Sequence, residues 1–135
     1  QAAANMELTF HRAFDLANNP LSALEQIINI GCNRILTSGQ ASSAVEGKEL
    51  IKQLIRKAGN SIIIMPGAGL GPHNIKAFAI ESLAQEFHMS LRNKTSVPDD
   101  KPNNKLDAFK DIPEQSMPGK IKEVRRILDS LHTSY

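Results

Sequence analysis

LTFHRAFD, residues 8–15, has the apolar framing of a strand, yet four of its eight side chains are hydroxyl-bearing, titratable or charged. Side chains alternate across a strand, so Thr9, His11, Ala13 and Asp15 share one face and Leu8 and Phe10 the other. A second run, residues 86–91, repeats the pattern, with Glu86, His88 and Ser90 against Phe87, Met89 and Leu91. Strands covered by helices on both sides read as nearly continuous Val, Ile and Leu. These two do not. Their apolar faces meet helices, and their polar faces must meet something else that is enclosed. The interior of a barrel, wetted at the C-terminal mouth of its strands, fits that requirement.

The strands are expected at residues 8–13 and 86–91, and two further strand-like runs, residues 34–37 and 61–65, lie between these. Helical periods fill the gaps. Leu21, Leu24, Ile27 and Ile28 form a stripe that starts at Asn19-Pro20 and stops at Gly31. A second helix is expected from Ser42 or Ser43 to Ala58, with Leu50, Ile51, Leu54 and Ile55 inward. A third follows Gly71-Pro72, with Ile75, Phe78 and Ala79 inward, and a fourth spans about residues 119–132. The order βαβαβαβα predicts a parallel α/β fold of the (β/α)8 TIM-barrel type, here about four βα units, a half barrel. The 135 residues suit a single domain. Residues 93–117, rich in Lys, Asp, Asn and Pro, read as a flexible insertion. Four units cannot close a ring. The open edges point either to four more units in a longer protein, favoured by the start at Gln1, or to a homo-oligomer of two copies.

The bulk numbers exclude several classes. Net charge is +2 and the basic residues are scattered, which argues against nucleic acid. No apolar run reaches the ~18 residues that would span a membrane. The first residues carry no signal-peptide pattern. Cys32 is the sole cysteine, so no internal disulfide forms and a cytoplasmic setting is expected.

The loops after the strands hold the candidate binding groups. Thr37, Ser38 and Gly39 make a turn whose hydroxyls and amides suit an anion; the plainer reading is a capped βα turn. Gly67, Gly69 and Gly71 in MPGAGLGPHN allow a phosphate cradle, or only a tight turn. The spacing is neither a dinucleotide fingerprint nor a P-loop. Asn74 is placed to cap the next helix. Soft-metal ligands exist in Cys32, the methionines, His11 and His88, but Cys32 precedes its strand and belongs to the opposite end of the sheet.

Taken in order, LTFHRAFD, RILTSG, IIIMPGAG and EFHMS resemble the C-terminal half of the CutC copper homeostasis family, over about residues 7–92 and a closing helix. The resemblance implies a (β/α)8 barrel with these blocks as strands five to eight, a cytoplasmic homo-oligomer, and copper(I) as the ion handled. The positions it carries over are His11, Arg12 and Asp15; Thr37, Ser38 and Gly39; Gly67 and Gly69; and Glu86, His88 and Ser90. The family's cysteines that would ligate copper(I) fall in its first strands, outside this sequence. The glycine block also departs, reading GAG where a further Gly is common. Two functions compete. One is copper(I) binding without turnover. The other is an enzyme on a small phosphorylated or carboxylated metabolite, with His11, Glu86 and His88 as acid–base candidates and Arg12, Asp15, Thr37, Ser38, Gly39, Gly67, Gly69 and Ser90 binding the ligand. A barrel remnant without activity is the third and plainest reading.

Overall fold

Helix stripes decide where the sheet lies. A computed structural model describes residues 6–91 and 117–132. The elements run β1 (Thr9–Phe10), a 3-10 turn (Arg12–Leu16), α1 (Pro20–Ile30), β2 (Arg34–Thr37), α2 (Lys48–Ala58), β3 (Ile63–Pro66), α3 (Ile75–Ser82) and α4 (Pro118–His132). The strands form one parallel sheet in the order β1-β2-β3, with Thr9 beside Arg34 and Arg34 beside Ile63. Alpha/beta architecture with parallel strands is thus present.

The local signals explain the element ends. Asn19 caps α1 by accepting from the Ser22 amide at 3.0 Å, Pro20 occupies the first turn, and Gly31 closes it at φ 89°. Leu24 and Ile27 of α1, Ile51, Leu54 and Ala58 of α2, and Ile75 and Phe78 of α3 are buried against Ile35 and Ile64 of the sheet. Val124 of α4 joins them, and Ile127 and Leu128 pack at the margin. Burial of such side chains contributes on the order of 1.5–3 kcal/mol each before the entropy of ordering is counted.

Three expectations change. The first strand is shorter than residues 8–13: His11 ends it by accepting the Ala13 amide on Nδ1 at 3.0 Å, and the chain turns into the 3-10 segment. The second helix starts at Lys48, not at Ser42 or Ser43, because Gly47 packs its backbone against Ser38 and Gly39 and holds residues 41–47 as a turn. The fourth strand is reduced to one bridge between Gly67 and His88, with the His88 amide donating to the Pro66 carbonyl at 2.9 Å. The described residues therefore hold three strands and a bridged fourth segment, and a half barrel of four full strands is not formed among them. Of the expected insertion, all but Met117 lies outside the described residues.

The parity of the fourth segment agrees with its sequence: Phe87, Met89 and Leu91 pack on the core. Register places His88 on the face of Gly67 and Met65, and Thr9 on the face of Arg34. That polar face is the one turned away from α1, α2 and α3.

Candidate functional site

Two arginines organise the residues singled out by sequence, and each is built from a different part of the chain. The first lies at the C-terminal edge of the sheet. Arg12 and Asp15 stand in the turn after β1, and Thr37, Ser38 and Gly39 follow from β2. Asp15 is the centre. Its Oδ1 accepts from the Thr37 hydroxyl at 2.5 Å and from the amides of Ser38 and Gln40, each at 3.2 Å. Its Oδ2 accepts from Arg12 Nε at 2.9 Å and from the Ser38 amide at 3.1 Å. Ser38 Oγ lies 2.9 Å from Asp15 Oδ2 and 2.7 Å from the Ala41 carbonyl, with one proton for the two. Arg12 Nη2 donates to Ser38 Oγ at 2.7 Å. Burial pushes the Asp15 carboxyl up, but the bonds from Thr37, Arg12, Ser38 and Gln40 together outweigh it and hold its pKa below the usual value.

The donors that the sequence offers to an outside anion are thus turned on an internal one. Thr37 and Ser38 are fully buried, and the anion in their turn is Asp15. Gly39 belongs to the same design: it sits at φ 71°, and a Cβ there would lie 2.2 Å from the Gly47 carbonyl oxygen. Gly39 and Gly47 are glycines so that two backbone segments can touch.

The loop after β3 is likewise tied down. The Gly67 amide donates to the Thr37 carbonyl at 2.9 Å. A Cβ on Gly67 would come 2.7 Å from Leu36 Cδ1 and 3.2 Å from His88 Cβ, so this glycine lets the fourth segment lie against β3. Gly69 adopts φ 74° beside Ser43. Asn74 accepts the Gly71 amide at 2.9 Å and donates to the Gly69 carbonyl at 2.8 Å. It pins the loop instead of capping α3. Two of the amides a phosphate would use are therefore already engaged.

The second cluster sits on the polar face of the sheet. Arg34 Nε and Nη2 donate to Glu86 Oε2 and Oε1 at 2.5 and 3.1 Å, and Nη1 donates to Glu7. Both oxygens of Glu86 are engaged, which gives it an ion-pairing place and not that of a free carboxylate. Sequence reasoning passed over Arg34. The available signal was its parity: a charged residue opening a strand, on the same face as Glu86.

His11 and His88 are exposed, and neither is bonded to Glu86 among the described residues. His11 stacks on Phe10 at 5.7 Å, and acceptance of the Ala13 amide on Nδ1 leaves its proton on Nε2. Ser90 is exposed on the same segment as His88. Cys32 lies before β2, at the other end of the sheet and against the core margin. Among the described residues no three His, Cys, Asp or Glu side chains stand together where a metal ion would be held. No helix is long and apolar enough to cross a membrane among them. A hollow of about 220 Å³ opens at the N-terminal end of β3, beside Ile55, Ile62 and Leu83, but no titratable side chain lines it.

The comparisons with known proteins point one way. CutC family proteins of Parabacteroides distasonis and Pasteurella multocida are 50% and 51% identical over 93 and 90 residues, covering 69% and 67% of this chain. The aligned part is 38% and 37% of those proteins, so the chain spans about two fifths of the curated relatives it matches. A crystal structure of CutC from Streptococcus agalactiae, described as a copper homeostasis protein, superposes with a TM-score of 0.60 at 30% identity. That match covers 64% of this chain and 43% of the other. The family model described as CutC matches residues 1–93, and with the four sequence blocks and the parallel βα order it establishes that the chain belongs to the CutC family.

Proposed function

We propose that this chain supplies a small-anion site at the C-terminal edge of its parallel strands, within a cytoplasmic protein of copper homeostasis. The ligand class is a phosphorylated or carboxylated small molecule. What carries the reading is Arg12, a cation held by a partly buried carboxylate at the edge where parallel βα folds bind ligands, with its side chain 45% exposed. His11 adds an Nε2–H donor beside it, and His88 a second exposed imidazole; both stand as acid–base candidates. The test is a titration of the isotope-labelled chain with inorganic phosphate, followed by amide and side-chain NMR shifts. Saturable shifts at residues 11–15 that weaken at least about tenfold in Arg12→Ala are expected. No saturable shift in the unmodified chain overturns the reading.

Copper(I) handling is the second reading, favoured by the description of the S. agalactiae relative. His11, His88 and Cys32 do not gather into one donor set here, and the single thiol stands at the far end of the sheet. Competition with a copper(I) chelator is therefore expected to leave copper on the chelator. Tight capture by the chain, lost in His11→Ala/His88→Ala, would establish copper as the ligand. The outer edge of β1 supports a homo-oligomer, tested by sedimentation equilibrium.

A further inference from the structure

The way Arg12 is bonded fixes what it can still bind. A guanidinium offers two edges to an oxyanion: Nε with one Nη, and the two Nη groups together. In this chain the first edge is spent, with Nε on Asp15 and Nη2 on Ser38. Nη1 has no partner among the described residues. The edge left over is the one formed by Nη1 and the second N–H of Nη2. Asp15 itself is gripped from its other side by Thr37, Ser38 and Gln40, so it forms a rigid backstop.

We infer that Asp15 is a positioning residue: it holds Arg12 by one edge so that the adjoining edge takes an oxyanion through two parallel hydrogen bonds. The ligand group is then a carboxylate or a phosphate monoester, both of which present two oxygens at matching separation. This rests on the small-anion reading above and specifies its chemistry. It carries an electrostatic consequence. Asp15 offsets much of the charge of Arg12, so recognition draws on direction more than on net field, and affinity changes little with salt.

Asp15→Asn separates the two effects by sign. Asn keeps an acceptor for Thr37, Ser38 and Gln40, but its amide nitrogen cannot accept from Arg12 Nε. If Asp15 were only a nearby negative charge, its removal would strengthen phosphate binding. If it positions Arg12, its removal weakens binding. The experiment titrates the full chain with inorganic phosphate and, separately, acetate, in the unmodified protein and in Asp15→Asn, Arg12→Ala and Arg12→Lys. The Arg12 Nε–H resonance reports the bond to Asp15. The expected result is a loss of the protected Nε–H signal and about five- to tenfold weaker binding in Asp15→Asn. Arg12→Lys, which keeps charge but not the two-point edge, should lose as much as Arg12→Ala. Phosphate binding that is equal or tighter in Asp15→Asn, or retained in Arg12→Lys, overturns the inference while leaving the small-anion site in place. Absence of binding in the unmodified chain removes the site itself.

Discussion

Arg12 and Arg34 are each paired to a carboxylate, but only Arg34 has every nitrogen bonded to one. Arg34 gives Nε and Nη2 to Glu86 and Nη1 to Glu7, so all three nitrogens are engaged. Its partners come from distant chain, 52 and 27 residues away. Glu86 belongs to the segment beside β3, so the bond from β2 reaches over β3 on the polar face. The two long side chains span that distance, and the pair fastens the fourth segment to β2. Arg12 is paired within its own turn, three residues from Asp15, and keeps one edge free. The same chemistry thus fastens in one place and presents a donor edge in the other. The number of nitrogens left over decides which.

The largest effect comes from spoiling the loop that grips Asp15 while leaving Arg34 alone. In Gly47→Ala a Cβ would lie 1.9 Å from the Ser38 carbonyl oxygen, a backbone atom that cannot step aside. A loss of about 3 kcal/mol is expected by denaturant unfolding. Asp15→Ala comes next. It leaves the Ser38 amide and the buried Thr37 hydroxyl without their acceptor, at a cost of about 2–3 kcal/mol. Acid sharpens this. The folded pKa of Asp15 lies below its ordinary value of 3.8. Its contribution is therefore complete above that value and is lost as pH falls through the folded pKa. Stabilities of the unmodified chain and Asp15→Ala should converge below pH 3.8 and stay apart at neutral pH. A gap that persists unchanged in acid would mean that packing, not charge, explains the loss.

Much of this arrangement is legible in the residues. The helix ends at Asn19-Pro20 and Gly31 depend on local chemistry, and short-range signals carry them. The 34–37 strand reads directly because its β-branched and aliphatic run is bounded by turn residues. The fourth segment also reads correctly in which face is polar, since parity needs no pairing partner. Its reduction to a single bridge does not read from sequence, because strand extent depends on long-range hydrogen bonds. The partners of Asp15 other than Arg12 are hidden for the same reason: residues 22 to 25 positions away supply them. Thr37 and Ser38 look like donors awaiting a ligand until the fold brings Asp15 to them. Gly67 looks like a phosphate glycine until His88 is seen lying against it.

Glu86→Gln tests the other half of the comparison. It weakens the Arg34 fastening and should lower Tm by less than Asp15→Ala does. Phosphate affinity should stay within about twofold, because Arg34 has no edge to offer a ligand. A larger drop in affinity would mean that the two clusters are coupled through the sheet.

The smallest effect lies between the clusters and has the opposite sign. Ala68 holds φ 81° in the loop after β3, where an L side chain is strained, and its carbonyl accepts the Ala44 amide at 3.0 Å. That bond ties the β3 loop to the turn that carries Gly47. Ala68→Gly removes about 1–2 kcal/mol of left-handed strain and adds about 0.4–1 kcal/mol of unfolded-chain entropy. A net gain of about 0.5–1 kcal/mol is expected by denaturant unfolding. The gain should appear with phosphate affinity unchanged, since the bond that Ala68 makes goes to Ala44 and not to either arginine. If affinity falls as stability rises, the strained loop belongs to the anion site, and the free edge of Arg12 is only part of it.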